Sequence, residues 1–518
     1  MLRYGGSLAN AGLLALLVAL SGCSESKRSK PSYLGPDGGH HGAGAGGDFG
    51  NPELDGGPLV VGDGGLVCPP DSEDCMQPAK DGGTPPATDG GVPLNDSGMT
   101  PIDPPDGEAP APDAGVPVPD DAGAPDSEVV IPDDGGDGPT AATYKIDLLF
   151  VVDNSGSMRE EQLALREQFP MLIARLLGNT AIGGGEDVVA GAQDIHLGVV
   201  STDLGTVGSN LIEGCAGLGD DGLLNNLAGA EAIGCSTTVF APRFLSYVAG
   251  TDDATQLATD LGCIADLGIA GCGFEQQLES MLKAVWPGDD GRITFLTDVS
   301  GFGRNGQSGA GFPNGEFVRH GGDDVSVLAI VLVSDEEDCS SSNTSHLFAP
   351  SELPVDDPRR LQGLNTRCFY ESQQPEPNGL YDVERYVDGL RSLRPGYEQR
   401  VVFGAIVGVP TELVSEAALA GVDLSDSAER SAHYSAILNH PDMQYQVDDR
   451  GTPDVPEDDS LRPSCTTATG SALAYAPRRI VQVARGFGEN GFVQSICASD
   501  WSPAMELLAT RIAQARSE

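Results

Sequence analysis

An α/β fold with a doubly wound, mostly parallel central sheet flanked by helices is what residues 143–518 predict, and three observations carry it. Apolar runs stand at Leu148–Val152, Val327–Val333 and Val401–Val409. A strand with one wet face would alternate polar and apolar residues, so unbroken runs require strands covered on both faces. Stretches with helical spacing lie between them, which implies crossover connections and hence parallel pairing. The first two runs each end at a carboxylate, Asp153 and Asp335, and open α/β sheets bind ligands outside the carboxyl ends of their strands.

Ahead of that region the chain has a different character. Residues 1–23 have the layout of a targeting segment: Arg3, an apolar core at Leu13–Leu20 too short to span a bilayer, and Leu20-Ser21-Gly22-Cys23 as a small-residue cleavage site. The segment resembles a bacterial lipoprotein signal, which implies lipidation of Cys23, and Ser24 after it implies sorting to the outer membrane. An ordinary secretory peptide is the alternative. The expected location is the cell envelope, with the membrane reached only through the lipid anchor, since no later stretch is long and apolar enough to cross it.

Residues 24–142 read as a disordered acidic linker. Between Ser24 and Thr143, 23 acidic side chains stand against four basic ones, in a background of Gly and Pro. Such a chain buries too little apolar surface to offset its ordering entropy. As a flexible coil it would span roughly 60 Å, and self-repulsion extends it further. Asp-Gly-Gly recurs at Asp37, Asp55, Asp63, Asp81, Asp89 and Asp134, but the irregular spacing lacks the paired aspartates of a calcium loop. The formal net charge of −48 argues against nucleic acid and anionic membrane surfaces as partners and leaves cations and basic surfaces.

Setting Cys23 aside leaves ten of the 11 cysteines, an even number in an exported chain. Their spacing suggests local disulfides: Cys68 with Cys75, Cys215 with Cys235, Cys263 with Cys272, Cys339 with Cys368, and Cys465 with Cys497. Zinc is the weaker alternative, because no Cys-x-x-Cys occurs.

Within 143–518, the strand at Leu148–Val152 is followed by an amphipathic helix, Met158–Leu177, with Leu165, Phe169, Leu172, Ile173 and Leu176 on one face and Pro170 predicting a kink. Ile195–Val200 is a second strand, ending at Ser201-Thr202-Asp203. Glycine-rich loops follow, with an edge strand near Phe244–Val248. Cys272-Gly273-Phe274-Glu275 opens a helix bearing Leu278, Met281, Leu282 and Val285, which Trp286-Pro287-Gly288 stops. Ile293–Leu296 suggests a short strand. Segments 340–398 and 411–464 read as polar insertions around the strand at Val401–Val409. A helix over Ser471–Phe487, a last strand over Phe492–Cys497, and a helix from Pro503 capped by Ser502 complete the domain.

The chemistry concentrates after the first strand. Asp153, Ser155 and Ser157 place one carboxylate and two hydroxyls at alternate positions on a strand-to-helix loop, which outlines a hard-cation site. A helix cap and turn without metal is the alternative. This Asp-x-Ser-x-Ser motif, with a later strand ending at Asp335, resembles the von Willebrand factor type A domain and its metal-ion-dependent adhesion site. The resemblance implies a divalent cation, Mg2+ first and Ca2+ or Mn2+ as alternatives, held by Asp153, Ser155, Ser157 and Asp335. An acidic group of a partner would complete its coordination. In that family a threonine adds a further hydroxyl, and here the corresponding loop offers Gly271, Cys272 and Gly273. Glu275 is one substitute; Thr202 or Asp203 is another. A carboxylate there would leave the cation less electron-poor and weaken its pull on an anionic partner. Glu336, Glu337 and Asp338 read as a solvated acidic loop, and Arg478 and Arg479 as surface or ion-pair residues.

Enzyme motifs are missing from the sequence. There is no Gly-x-Ser-x-Gly elbow, no phosphate-binding Gly-Lys-Ser and no His-Glu-x-x-His. Asp153 and Asp335 as a carboxylate pair have no obvious base beside them, so a metal-dependent hydrolase is a distant reading. The expected function is cation-dependent recognition or adhesion toward a protein or other acidic ligand at the cell surface. A structural envelope scaffold with a purely structural metal is the rival.

Overall fold

The computed structural model describes residues 144–517 except 179–190, 208–214, 216, 299, 321–324, 344–346, 348–352, 375–377 and 471. The leader with Cys23, the acidic linker and the Cys68–Cys75 pair lie outside the described residues. Six strands form the central sheet: β1 (Lys145–Val152), β2 (Asp194–Ser201), β3 (Leu245–Val248), β4 (Val327–Ser334), β5 (Val401–Val407) and β6 (Gly491–Ser495). Their spatial order is β6-β5-β4-β1-β2-β3, and only the edge strand β3 runs antiparallel.

Both faces of β1 and β4 are covered, which is why their sequences carry no alternation. On one face Ile146, Leu148, Phe150 and Val152 pack with Phe169, Leu172, Leu261, Met505 and Leu508. These come from α1 (Arg159–Leu176), α2 (Ala254–Ala265) and α8 (Ser502–Ser517). On the other, Leu149 and Val151 share a buried cluster with Met281, Leu282, Leu390, Ile437 and Ile480. Those residues belong to α3 (Gln277–Val285), α5 (Glu384–Arg391), α6 (Ser427–Asn439) and α7 (Arg478–Gly486), while α4 (Leu364–Ser372) packs in a smaller cluster around Cys339 and Cys368. Pro170 lies inside α1 without ending it. Among the described residues no helix is long and apolar enough to cross a membrane.

Several expectations are corrected by tertiary contacts. Ile293–Leu296 is irregular rather than a strand: Arg385 donates to the Thr294 carbonyl at 2.8 Å, and the Phe295 amide to the Arg304 carbonyl at 3.0 Å, so this backbone needs no sheet partner. Helix α3 starts at Gln277, two residues beyond Glu275, because Asp338 Oδ1 and Ser340 Oγ from the loop after β4 accept the Leu278 and Glu279 amides at 3.0 and 2.9 Å. Segment 340–398 contains α5, whose Tyr386, Val387 and Leu390 are buried against the sheet, so part of the supposed insertion is a crossover helix. Upstream of α7, Leu473–Ala474 pairs with Cys465–Thr466 and shortens the helix expected from Ser471. The acidic loop after β4 is not solvated. Glu337 and Asp338 are buried, with Arg479 Nε donating to Asp338 at 3.0 Å and Tyr445 donating to Glu337 at 2.6 Å.

Four disulfides join the eight described cysteines. Cys339–Cys368 and Cys465–Cys497 pair as expected. The other two are Cys215–Cys272 and Cys235–Cys263, in place of Cys215–Cys235 and Cys263–Cys272. Local pairing fails here because the loops cross. Cys263 sits on α2, where Gly229 also donates to its carbonyl, while Cys272 is held beside β2 by its amide on Asp203 Oδ2 at 3.1 Å. Non-reducing digestion with mass mapping is expected to recover the 215–272 and 235–263 cross-linked peptides. A 215–235 peptide as the main product would contradict the fold around β3.

Candidate metal centre

Strand order reverses between β1 and β4, and the crevice outside the carboxyl ends at such a switch point is where open α/β sheets hold ligands. β1 delivers Asp153 there and β4 delivers Ser334 and Asp335. The ladder continues one residue past β1, with the Asp153 amide on the Val333 carbonyl at 3.0 Å. The Asp153 carboxylate, fully buried, accepts the Ser155 amide on Oδ1 at 2.8 Å and the Ser334 hydroxyl on Oδ2 at 2.7 Å. From α1, Gln162 ties the Asp153 and Gly268 carbonyls together at 3.0 and 2.9 Å. The Ser155 and Ser157 hydroxyls lie 3.2 Å apart, and Ser157 stands near enough to Asp335 to offset part of the rise in its pKa. Met158 occupies the cap of α1, which has no side-chain cap. The Asp-x-Ser-x-Ser hydroxyls are therefore turned to one another rather than spent on capping the helix.

The loop before α3 closes the other side. Gly271 approaches the β1 turn so closely that a Cβ there would lie 2.2 Å from Asn154 Oδ1, and its amide donates to the Asn154 carbonyl at 3.0 Å. This close approach is what the glycine permits. Four residues on, Glu275 is 1 % exposed, and the buried Thr202 hydroxyl at the end of β2 donates to its Oε2. Two of the candidates for the further oxygen position, Glu275 and Thr202, thus arrive together. Asp203, the third, serves its own loop: its carboxylate accepts the Gly205 and Cys272 amides at 2.8 and 3.1 Å.

Electrostatically the cluster is one-sided. Burial pushes the Asp153, Glu275 and Asp335 carboxyls above the usual carboxylate range, Asp335 up to about 7, and repulsion from Asp153 adds to the rise at Glu275 and Asp335. Glu336, half-buried beside them and held by Asn365 at 3.2 Å, is pushed up by the same two causes. Among the described residues, none of the hydrogen bonds or leading charges acting on these four groups comes from His, Lys or Arg. Glu275 Oε1 and Asp335 Oδ1 are buried with no hydrogen-bond partner. Unpaired buried carboxylate oxygens are costly, and protonation or a bound cation relieves them. The donor set, carboxylates and hydroxyls with no thiol or imidazole, suits a hard divalent cation. Gly156 and Ser157 are exposed and form the rim.

Asp153, Ser155, Ser157 and Asp335 stand at the neighbouring ends of β1 and β4, while Glu275 is held by Thr202 at the end of β2. Sequence reasoning missed Ser334, which orients Asp153, although a hydroxyl at the last position of an apolar strand was a signal. It also set Glu336 apart as solvent-facing. Among the described residues, the His, Cys, Asp and Glu side chains that bring three ligand atoms within 4.8 Å of one another are Glu412, His440 and Asp442, at the surface, where His440 Nδ1 already accepts the Asp442 amide at 3.3 Å. No family model, curated protein or solved structure matches the chain.

Proposed function

We propose that the chain is a cell-envelope lipoprotein whose folded domain is von Willebrand factor type A-like and binds a divalent cation for cation-dependent recognition of a protein or other acidic ligand. What supports this reading is that Asp153, Ser155 and Ser157 follow β1 and Asp335 follows β4 at the switch point, with Asp335 Oδ1 buried and without a hydrogen-bond partner. Asp335 and Glu275 would hold the cation with the Ser155 and Ser157 hydroxyls, while Ser334 and the Ser155 amide keep Asp153 in place beside them. When bound, Mg2+, Ca2+ or Mn2+ would supply an electron-poor centre for an oxygen of the partner. Gly156 and Ser157 at the rim give that oxygen its approach. The leader, with Cys23, and the acidic linker support an anchored domain held away from the membrane.

One observation favours a second reading, in which the cation only steadies the fold: Glu275 puts a buried carboxylate where a hydroxyl would leave the cation more electron-poor. Binding of the labelled mature protein to cell-envelope preparations, with and without chelator, separates the two. Binding that is lost in chelator and in Asp153→Ala supports recognition through the cation. Binding unchanged in chelator, with a cation-dependent rise in melting temperature, supports the scaffold.

A further inference from the structure

We infer that Glu412, His440 and Asp442 form a surface Zn2+ site, separate from the centre between β1 and β4, with three protein ligands and a fourth position open to water or to a donor from outside. One imidazole nitrogen and one oxygen of each carboxylate lie within 4.8 Å of one another. Of these, His440 Nδ1 and Asp442 Oδ2 are 3.7 Å apart. Zinc bonds of about 2.1 Å to nitrogen and oxygen set tetrahedral ligand atoms about 3.4 Å apart, so the group has to close by at most roughly 1.5 Å. Glu412 and Asp442 are exposed, and rotation of their side chains supplies that movement.

The backbone that carries the three groups is held from below. Glu412 lies in the short turn Thr411–Val414 that follows β5, and His440 and Asp442 lie where α6 passes into the single turn Pro441–Met443. Val414, Ile437 and Met443 belong to one buried cluster, so both segments are anchored in the same core. Arg478 Nη1 donates to the Leu438 and Met443 carbonyls at 2.6 and 2.9 Å, and Gln444 Nε2 to the Leu438 and His440 carbonyls at 2.9 Å each. The imidazole also faces the right way. Because the Asp442 amide donates to Nδ1 at 3.3 Å, a lone pair rather than an N–H is turned toward the Asp442 carboxylate. Three acceptors thus confront one another, and among the described residues no Lys or Arg forms an ion pair with Glu412 or Asp442. A cation between them would replace only that long amide bond. One imidazole with two carboxylates suits Zn2+, whereas Ca2+ and Mg2+ are held by oxygen ligands.

Calorimetric titration of the full mature chain with Zn2+, after stripping with chelator, tests this. His440→Ala is titrated in parallel to subtract uptake by the acidic linker, which carries His40 and His41. The wild type is expected to bind one Zn2+ ion that His440→Ala does not. Glu412→Gln and Asp442→Asn should each weaken that ion at least about tenfold, the least that loss of even a supporting residue costs a metal site. Asp335→Asn should leave it in place, as should Ca2+ at an equal concentration. Identical Zn2+ isotherms for the wild type and His440→Ala overturn the inference and leave a protonated His440 paired with Asp442 as the state of the group. An ion lost in Asp335→Asn but kept in His440→Ala belongs between β1 and β4 and overturns it as well. Displacement by equal Ca2+ overturns the assignment to Zn2+. Should His440→Ala not fold, as judged by circular dichroism, the exposed Glu412→Gln takes its place, and an isotherm like that of the wild type overturns the site.

Discussion

Asp147→Ala is expected to destabilise the domain by about 3–5 kcal/mol, the range for removing one partner of a buried ion pair. Asp147 lies near the start of β1 and is fully buried. Its Oδ2 accepts from Arg394 Nη2 at 2.9 Å, from the Ser326 hydroxyl at 2.6 Å and from the Arg319 amide at 2.9 Å; its Oδ1 accepts from Arg319 Nε at 2.7 Å. Arg394 is 1 % exposed, and losing the carboxylate would strand its charge in the interior. Arg319 is less affected, because Asp194 also pairs with it at 2.9 Å. Asp147→Leu combined with Arg394→Met should recover much of the loss, since apolar replacements of a buried pair are often neutral or better. Asp147 and Asp153 sit at opposite ends of the same strand, about 20 Å apart at the usual rise per residue. The loss should therefore appear in urea denaturation while cation affinity of the folded protein stays unchanged. An Asp147→Ala variant as stable as the wild type would show that the cluster is incidental.

The parts of this molecule that were legible in the sequence are those where one physical demand acts on consecutive residues. β1, β4 and β5 were readable because burial on both faces forces continuous apolar runs. The Asp153, Ser155 and Ser157 triplet was readable because its alternation sits directly after such a run. What escaped depended on partners distant in the chain. The start of α3 is set by Asp338 and Ser340, some sixty positions away, so no local cap signal marked it. Glu337, Asp338 and Arg479 looked like surface charges because nothing in either stretch reveals that, in the interior, the Arg479 guanidinium pairs with Asp338 and its backbone amide bonds Glu337. Pairing of Cys235 and Cys263 depends on α2 folding back over the loop that precedes β3, and spacing alone favours the nearer cysteine. The candidate centre lies between these cases. Its two aspartates and two serines were local signals, whereas the meeting of Thr202 with Glu275 required β2 and the loop before α3 to be brought together.

The increment in stability that Ca2+ adds to the domain should grow steeply with pH, being small near about pH 5.5 and largest near about pH 8, because protons and the cation compete for the same carboxylates. The sign follows from the direction of the shifts. Asp335, up to about 7, and Glu275, well above its ordinary value, bind protons in the folded chain more tightly than in the unfolded one. In chelator, the stability they contribute is complete below the unfolded values and is lost as pH rises through the folded ones, where unscreened negative charge accumulates in the cluster. A saturating cation reverses that trend at these groups by binding their ionised form, and at a hundredfold excess over its dissociation constant it adds about 2.7 kcal/mol. Other groups titrate in the same window. Glu337, at about 7, follows the direction of Asp335, while burial lowers His196, His320 and His433, so their contribution to stability rises with pH. None of those four hydrogen-bonds to Asp153, Glu275 or Asp335 among the described contacts. They cancel in the difference between loaded and chelated protein at each pH, and that difference, from melting curves, is the quantity to measure. Asp335→Asn should flatten it by removing both a ligand and the proton that competes for it. A cation increment equal at both pH values in the wild type would mean that the ion binds elsewhere, on groups already ionised throughout, and that the buried carboxylates at the β1–β4 switch point are not its ligands.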